Sequence, residues 1–350
     1  ETMNNILNDN ISLQKSHTCK NQYFPVLEWV ITEKCNYNCL HCIYAADYTL
    51  SAKEWTLNEA KKLLDEAQQY GIHALTITGG EPLLHKYFFE IAESICQRNM
   101  IIQELHTNGQ FISQSTLNCL KETGCCPLIK ISFDGIDCHD WLRNQEGAQR
   151  ETLRTIQLCV ENGFRVNVLT NVHRRNIKTI LSTAQLLAEI GVHKMHVVRT
   201  MESSRWMKTA GSACLEAEEY YACMLEFIHQ YIKSGHTMEI DIHQIISLLP
   251  KLKKYHIAYS EYQNSEYASA SFNHKRILLA ADGNVFSCYP VFNAKDGKYF
   301  LGNAKTEGLH VALEREKNLS YTISPDYWLF FEKRYCNRLE KLLYNWQKLN

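Results

Sequence analysis

The chain has 350 residues, is 45% hydrophobic and carries a formal charge of −1 at pH 7. That length fits about two domains, or one α/β barrel-like domain with an extension. The neutral balance leaves no basic footprint for nucleic acid or an anionic membrane.

No apolar stretch is long enough to span a bilayer, and Glu1 to Gln22 hold no signal-peptide core, so a soluble, cytoplasmic protein is expected. The 14 cysteines have scattered spacing, which favours reduced thiols and metal over a disulfide framework. Cys96, Cys119, Cys159, Cys214 and Cys223 lie in helix-like segments and read as small core residues; the pair Cys125-Cys126 receives no role.

Along the chain, Pro25 to Thr32 reads as a first strand that delivers a cysteine-bearing loop. Thr56 to Tyr70 reads as a helix, with Thr56 as N-cap, Glu59 three residues on and Gly71 behind it. Strands are expected at Ala74 to Thr78, Ile101 to His106, Leu128 to Phe133, Arg165 to Thr170 and Lys194 to Arg199. Helices are expected at about His85 to Arg98, Ser115 to Thr123, Glu151 to Asn162 and Ile177 to Ile190. Six strands alternating with helices predict a parallel sheet with right-handed crossovers, open rather than closed: an α/β fold, a (βα)6 partial TIM barrel. Ligands of such sheets bind beyond the carboxyl ends of the strands.

Beyond Arg199 the pattern changes. Glu216 to Lys233 reads as a long helix, and Ile240 to Leu252 as a second one broken at Pro250. Glu261 to His274 reads as a loop, Arg276 to Ser287 as a hairpin about Asp282-Gly283-Asn284, and Cys288 ends it. Gly302-Asn303 leads to a helix near Gly308 to Arg315, and Tyr327 to Gln347 is a last helix. The expected organisation is an N-terminal extension (1–24), a core (25–200), a helical connecting region (201–274) and a small α+β C-terminal extension (275–350).

Two motifs carry chemistry. Cys35, Cys39 and Cys42 stand at Cys-x3-Cys-x2-Cys spacing. Three thiolates can hold three corners of a 4Fe–4S cube and leave one iron without a protein ligand. The bland alternatives are a zinc site or unrelated buried thiols, but structural zinc wants four ligands, usually as two separated pairs. Gly79-Gly80-Glu81-Pro82 follows the strand Ala74 to Thr78, where two glycines let backbone approach a ligand closely. A lone GGEP is weak; the two motifs in this order, one βα unit apart, are specific.

On these residues the segment from about Val26 to Arg199 resembles the radical SAM superfamily. The resemblance independently implies the (βα)6 partial barrel. It implies that the open iron chelates the amino and carboxylate groups of S-adenosylmethionine, and that Gly79, Gly80, Glu81 and Pro82 line its methionine moiety. It puts His41 where the family often packs a ring on the adenine, against a bland reading as a solvated or core histidine, and it favours Ser132 as a cofactor contact. Asn108, Ser132 and Asp134 at strand ends suit ribose or carboxylate groups, or are simply turn formers. Arg143 suits the cofactor's carboxylate, or is a surface arginine. Asn171 and Arg199 are weaker candidates of the same kind. The implied chemistry is reductive cleavage of S-adenosylmethionine to a 5′-deoxyadenosyl radical that abstracts hydrogen from a substrate, with a flavodoxin- or ferredoxin-type electron donor.

Residues Ala281 to Asn303 resemble the start of a SPASM tail, in which a cysteine at the place of Cys288 ligates an auxiliary iron–sulfur cluster. The usual cysteine knuckle is missing; Leu319 to Ile323 pass straight to Ser324, and only Cys336 remains. Two lone thiols do not hold a cluster that wants four ligands. The expectation is no auxiliary cluster or an atypical one, with a cysteine-bearing loop absent near Ile323 as an open alternative. SPASM-tailed enzymes mostly modify peptides, so the resemblance favours a maturase of a ribosomally made peptide. The segment before the first strand is too short to be a folded recognition domain, which leaves leader binding to a separate protein or to residues 200–274. A small-molecule radical SAM enzyme (a dehydrogenase, or one altering a nucleotide or sugar) is the alternative, and a non-catalytic binding partner is the third reading.

Overall fold

The computed structural model describes residues 26–43, 52–200, 203–243, 245–257, 276–287, 300–317 and 337–349. Expectations for residues 1–24, for the loop 261–274, for Cys288 and Cys336, and for the junction at Ile323 lie outside them.

Six strands form the expected core: β1 (Val26–Val30), β2 (Ala74–Thr78), β3 (Ile101–Thr107), β4 (Leu128–Ser132), β5 (Val166–Val172) and β6 (Lys194–Arg199). Between them run helices α1 (Leu57–Gln69), α2 (Phe88–Cys96), α3 (Gln114–Glu122), α4 (His139–Arg143), α5 (Ala148–Glu161) and α6 (Ile180–Ile190). Helix α1 starts where its sequence says it should. Thr56 Oγ1 accepts from the Glu59 N–H at 3.2 Å, and Glu59 Oε2 accepts from the Thr56 N–H at 2.8 Å. These reciprocal bonds satisfy two donors that a helix start leaves open. Ala60, Leu63, Leu64 and Ala67 fall on its buried face at helical spacing.

The sheet is larger than the six strands expected. Later segments add β7 (Glu239–Ile242), β8 (Ile246–Leu249), β9 (Lys254–Ile257), β10 (Arg276–Leu279), β11 (Asn284–Phe286) and β12 (Phe300–Asn303). The order is β12-β11-β10-β1-β2-β3-β4-β5-β6-β7-β8-β9, an open sheet. From β10 through β7 every neighbouring pair is parallel; the outer strands on each side run antiparallel. Helices α7 (Ser204–Ala210), α8 (Ala217–Lys233), α9 (Leu309–Lys317) and α10 (Asn337–Leu349) complete the described α-helices.

The helix expected over Ile240 to Leu252 is instead β7, a tight turn and β8. Ile240 and Ile242, then Ile246 and Leu248, are buried, while Asp241 and Ser247 between them are not. That is the period of two of a strand with one covered face. The expected hairpin forms at Arg276 to Phe286, but its first strand lies parallel beside β1. Gly283 turns it at φ +94°, and a Cβ there would meet Asn303 Oδ1 at 2.7 Å. The short helices α4 and α7 were not expected.

The main core lies between the sheet and the helices. Leu27, Trp29, Leu75, Ile77, Leu105, Ile129, Ile131, Val168, Met195 and Val197 point to that side, where Trp29 meets Trp55 edge-on at 5.6 Å. The intervening residues point to the other, concave face. Cys96 departs from its expected role as a core thiol: α2 ends beside the loop before β4, and Cys96 is disulfide-bonded to Cys125 there. Cys159 is a buried thiol, as expected, and burial pushes it up to about 12.

Candidate active site at the carboxyl rim of the sheet

The cysteine loop leaves β1 at its carboxyl end. Cys35, Tyr37 and Cys39 are buried together with Ala148, and half-buried Cys42 packs against them. Flanking elements clamp the loop. The Leu40 N–H donates to the Leu142 carbonyl of α4 at 2.9 Å, and Thr209 Oγ1 of α7 donates to the Leu40 carbonyl at 3.0 Å. Arg205 of α7 bonds Asn38. These clamps escape sequence reading because they lie about 100 and 170 residues downstream.

The glycines of GGEP have a physical reason in the chain itself. The Gly80 N–H donates to the Thr32 carbonyl at 2.8 Å, and the Glu81 N–H to the Lys34 carbonyl at 2.7 Å. A Cβ on Gly79 would stand 2.5 Å from Thr32 O, and one on Gly80 would stand 2.2 Å from Lys34 O. Both are impossible contacts, so the pair of glycines lets the stem of the cysteine loop lie against the end of β2. Within the chain, the close approach that these glycines permit is to the loop.

Glu81 is fully buried and spent on protein. Its carboxylate accepts from Thr107 Oγ1 at 2.8 Å, the Asn108 N–H at 2.8 Å and the Leu83 N–H at 3.2 Å. Burial pushes it up to about 7 against these bonds. Pro82 is buried and opens a 3-10 turn that Glu81 caps. Asn108 Nδ2 reaches Asn36 Oδ1 inside the cysteine loop at 2.8 Å. Glu81 and Asn108 thus join the ends of β2 and β3 to the loop.

A second network joins the ends of β4 and β5 to it. Asp134 is fully buried and lies 2.7 Å from both Nε and Nη2 of Arg143. Arg143 Nη1 in turn donates to Cys39 Sγ at 3.8 Å. Asp134 Oδ1 accepts from the Asn171 N–H at 3.1 Å and from Asn171 Nδ2 at 3.3 Å. Asn171 Nδ2 also lies 3.2 Å from His41 Nε2. Burial would raise the Asp134 carboxyl, yet Arg143 and His139 hold it well below the usual carboxylate range. Burial works against the charge of Arg143, and Asp134 with Cys39 more than offsets it. The surface reading of Arg143 is therefore excluded, and the turn-former reading of Asp134 gives way to a buried counter-ion. Sequence reading missed His139, whose Nδ1 accepts from the Asp134 N–H at 3.0 Å.

The remaining candidates separate. Ser132, at the end of β4, faces the concave side half-buried, with no protein partner among the described residues. Arg199 ends β6, and its Nη1 donates to the Leu215 carbonyl at 2.7 Å. His41 Nδ1 is buried without a partner, and burial, with Arg143 next, pulls the ring down to about 3, so it is neutral.

The donor set fits an iron–sulfur cube better than a single ion. Among the described residues no three His, Cys, Asp or Glu side chains converge on one metal position. A cube takes its three thiolates at three different irons and needs no such convergence. Burial pushes Cys35 up to about 12 and raises Cys39 too, with neighbouring thiols adding to both and Arg143 opposing at Cys39. Loading such a cluster would hold these thiols as thiolates and release their protons.

Residues 29–187 match the radical SAM superfamily. The chain carries a radical SAM domain. It is similar to an AdoMet-dependent heme synthase of Methanosarcina barkeri, 32% identical over 182 residues that cover 51% of this chain and 52% of that protein. It is also similar to the antilisterial bacteriocin subtilosin biosynthesis protein AlbA of Bacillus subtilis, 29% identical over 163 residues covering 46% and 36%. The matched region thus spans about half the length of the heme synthase, and less of AlbA. The fold is shared with Streptococcus suis SuiB bound to S-adenosylmethionine, at a TM-score of 0.67 and 16% identity, over 85% of this chain and 67% of that one. A radical SAM domain implies S-adenosylmethionine and a 4Fe–4S cluster as cofactors. No helix among the described residues is long and apolar enough to cross a membrane.

Proposed function

We propose that this chain is a radical SAM enzyme that modifies a ribosomally made peptide. The observation that carries the reading is the cysteine loop itself: three thiols packed together, two of them buried, braced by two networks, over the concave face of an open parallel sheet. When bound, the cluster and S-adenosylmethionine supply one-electron cleavage and a radical able to abstract hydrogen from carbon.

In this reading Cys35, Cys39 and Cys42 hold three irons. Gly79 to Pro82 set the loop's height above the sheet, and Ser132 offers an unspent hydroxyl to the cofactor. Asn108, Asp134, Arg143 and Asn171 act mainly by fixing the loop, His41 packs beside it, and Arg199 marks the far end of the rim. A flavodoxin- or ferredoxin-type donor supplies the electron, and a separate protein or residues 200–274 hold any leader. Cys288 serves an auxiliary cluster only if the chain binds more than one.

The similarity to AlbA, and the fold shared with SuiB bound to its precursor peptide SuiA, support a peptide substrate. The similarity to heme synthases supports a second reading, a tetrapyrrole substrate. Anaerobic reconstitution with iron, sulfide and dithionite tests both. About four irons per chain are expected for one cluster and about eight for two. Turnover to 5′-deoxyadenosine stimulated by short cysteine-rich or aromatic peptides supports the maturase. Stimulation by Fe-coproporphyrin III alone replaces it with the tetrapyrrole reading. A fully loaded protein that cleaves no S-adenosylmethionine is a binding partner instead. Cys39→Ala should lose both iron and cleavage, and a variant that still cleaves would sink the cluster assignment.

A further inference from the structure

Strand register brings together residues far apart in sequence. Ser132 pairs with Leu169, Leu169 with His196, His196 with Asp241, and Asp241 with Ser247. Their immediate neighbours Ile131, Val168, Met195, Ile240 and Ile246 are buried against the helices, so this row looks out on the concave face. Asn171, which reaches His41 of the cysteine loop, lies on that face of β5 two residues beyond Leu169. His196 therefore sits one step, roughly 7 Å along the strands, below the rim on which the loop rests.

His196 Nδ1 lies 2.6 Å from Asp241 Oδ2, and Ser247 Oγ donates to Asp241 Oδ1 at 2.9 Å. Both carboxylate oxygens are thus engaged, and the carboxylate fixes the imidazole with its proton on Nδ1. His196 Nε2 has no protein partner among the described residues, and the side chain keeps 18% of its surface exposed. Among the described side chains, the other charged or titratable groups facing the pair are Lys194 on the same strand, itself 3.1 Å from Glu239, and His243, whose ring lies 5.6 Å from that of His196. Burial would raise the Asp241 carboxyl, and His196, Ser247 and Lys194 together more than offset it.

We infer that His196, oriented by Asp241 and Ser247, is the proton acceptor for a substrate whose reacting group carries an exchangeable proton: a thiol, hydroxyl or amide N–H. The proton passes from the substrate heteroatom to Nε2. The heteroatom–hydrogen bond breaks, Nε2–H forms, the heteroatom keeps the electron pair, and the imidazolium is paired with the Asp241 carboxylate. No electron is exchanged in this step. The inference rests on the enzyme reading above, since it needs a substrate on the concave face.

The test uses the full chain and diethyl pyrocarbonate, with peptide mapping by mass spectrometry. His196 should be acylated at a rate comparable to exposed His73, and the rate should drop several-fold in Asp241→Asn and to a smaller degree in Ser247→Ala. An unreactive His196, or rates that ignore both substitutions in folded variants, would overturn the proposal. On the reconstituted enzyme, with whichever of the peptides or Fe-coproporphyrin III turns over, product per 5′-deoxyadenosine should fall about 100-fold in His196→Gln. An unchanged ratio would overturn it as well. If the wild type cleaves no S-adenosylmethionine, the enzyme reading fails, and the acylation rates still decide whether the dyad exists.

Discussion

Both edges of the six-stranded core are extended by later segments of the chain, and the two extensions differ in what they show the concave face. Beside β1, strand β10 presents Leu278, which packs with Val30, Ala281 and Phe286 in a small apolar cluster. Beside β6, strands β7 and β8 present Asp241 and Ser247, joined to His196. One wall under the cysteine loop carries an apolar cluster that holds shape, beside the buried Glu28 in register with Leu278; the opposite wall holds a proton-exchanging pair. A parallel sheet buried by helices on one side can thus assign structure and chemistry to opposite flanks of its other side.

The sharpest way to break this contrast is to make the apolar cluster polar. Leu278→Asp puts a carboxylate into the apolar cluster and beside the buried Glu28 with which it is in register, and should cost more than about 4 kcal/mol. Urea unfolding measures it, and an unchanged midpoint would contradict the apolar assignment. Next comes the rim between the flanks. Asp134→Ala leaves the buried Arg143 guanidinium without its carboxylate, and a loss of about 3–5 kcal/mol is expected by the same measurement. Restoration of stability by adding Arg143→Met would confirm that the stranded charge is the cause.

The rim also carries a pH signature. Glu81 is raised from an ordinary 4.5 to about 7, so between those values the folded chain keeps a proton that the unfolded chain has lost. Its contribution is fully present below 4.5 and is lost as pH rises through about 7, by roughly 3 kcal/mol. In Glu81→Gln that part of the slope should vanish whatever the variant's absolute stability; a slope that persists assigns it elsewhere. The smallest effect is expected on the polar wall. Asp241→Ala leaves His196 and Ser247 without their acceptor, but both are partly exposed, so about 1–2 kcal/mol is expected. A larger loss would mean that the pair is structural.

The same contrast marks what sequence could reveal. The apolar flank was half legible: Asp282-Gly283 between two apolar runs announces a hairpin, and it forms. That its first strand would slot in parallel beside β1 is a long-range pairing with no local signal. The polar flank was misread as a helix. In Ile240 to Leu252 the apolar residues are dense enough to satisfy either period, and only burial reveals that Asp241 and Ser247 alternate out of the core. His196 and Asp241 were not singled out, because register alone brings residues 45 positions apart to 2.6 Å. At the rim, Cys35, Cys39, Cys42 and GGEP were visible as motifs, and β2 and β6 were read to the residue. Arg143 was visible as a candidate, but its burial between Asp134 and Cys39 was not, since side-chain depth depends on how α4 closes over the loop.

The pairing of β1 with β10 also sets a timetable for synthesis. Val26 pairs with Arg276, and Trp55 Nε1 donates to the Ala280 carbonyl at 3.2 Å. While the ribosome makes the roughly 250 residues in between, one side of β1 has no neighbour to bond. At about 5–20 residues per second that interval lasts roughly 12–50 s. An open strand edge is a template for other chains, so the nascent protein is most exposed to mispairing before its hairpin emerges, and a chaperone that shields β1 would act in that interval.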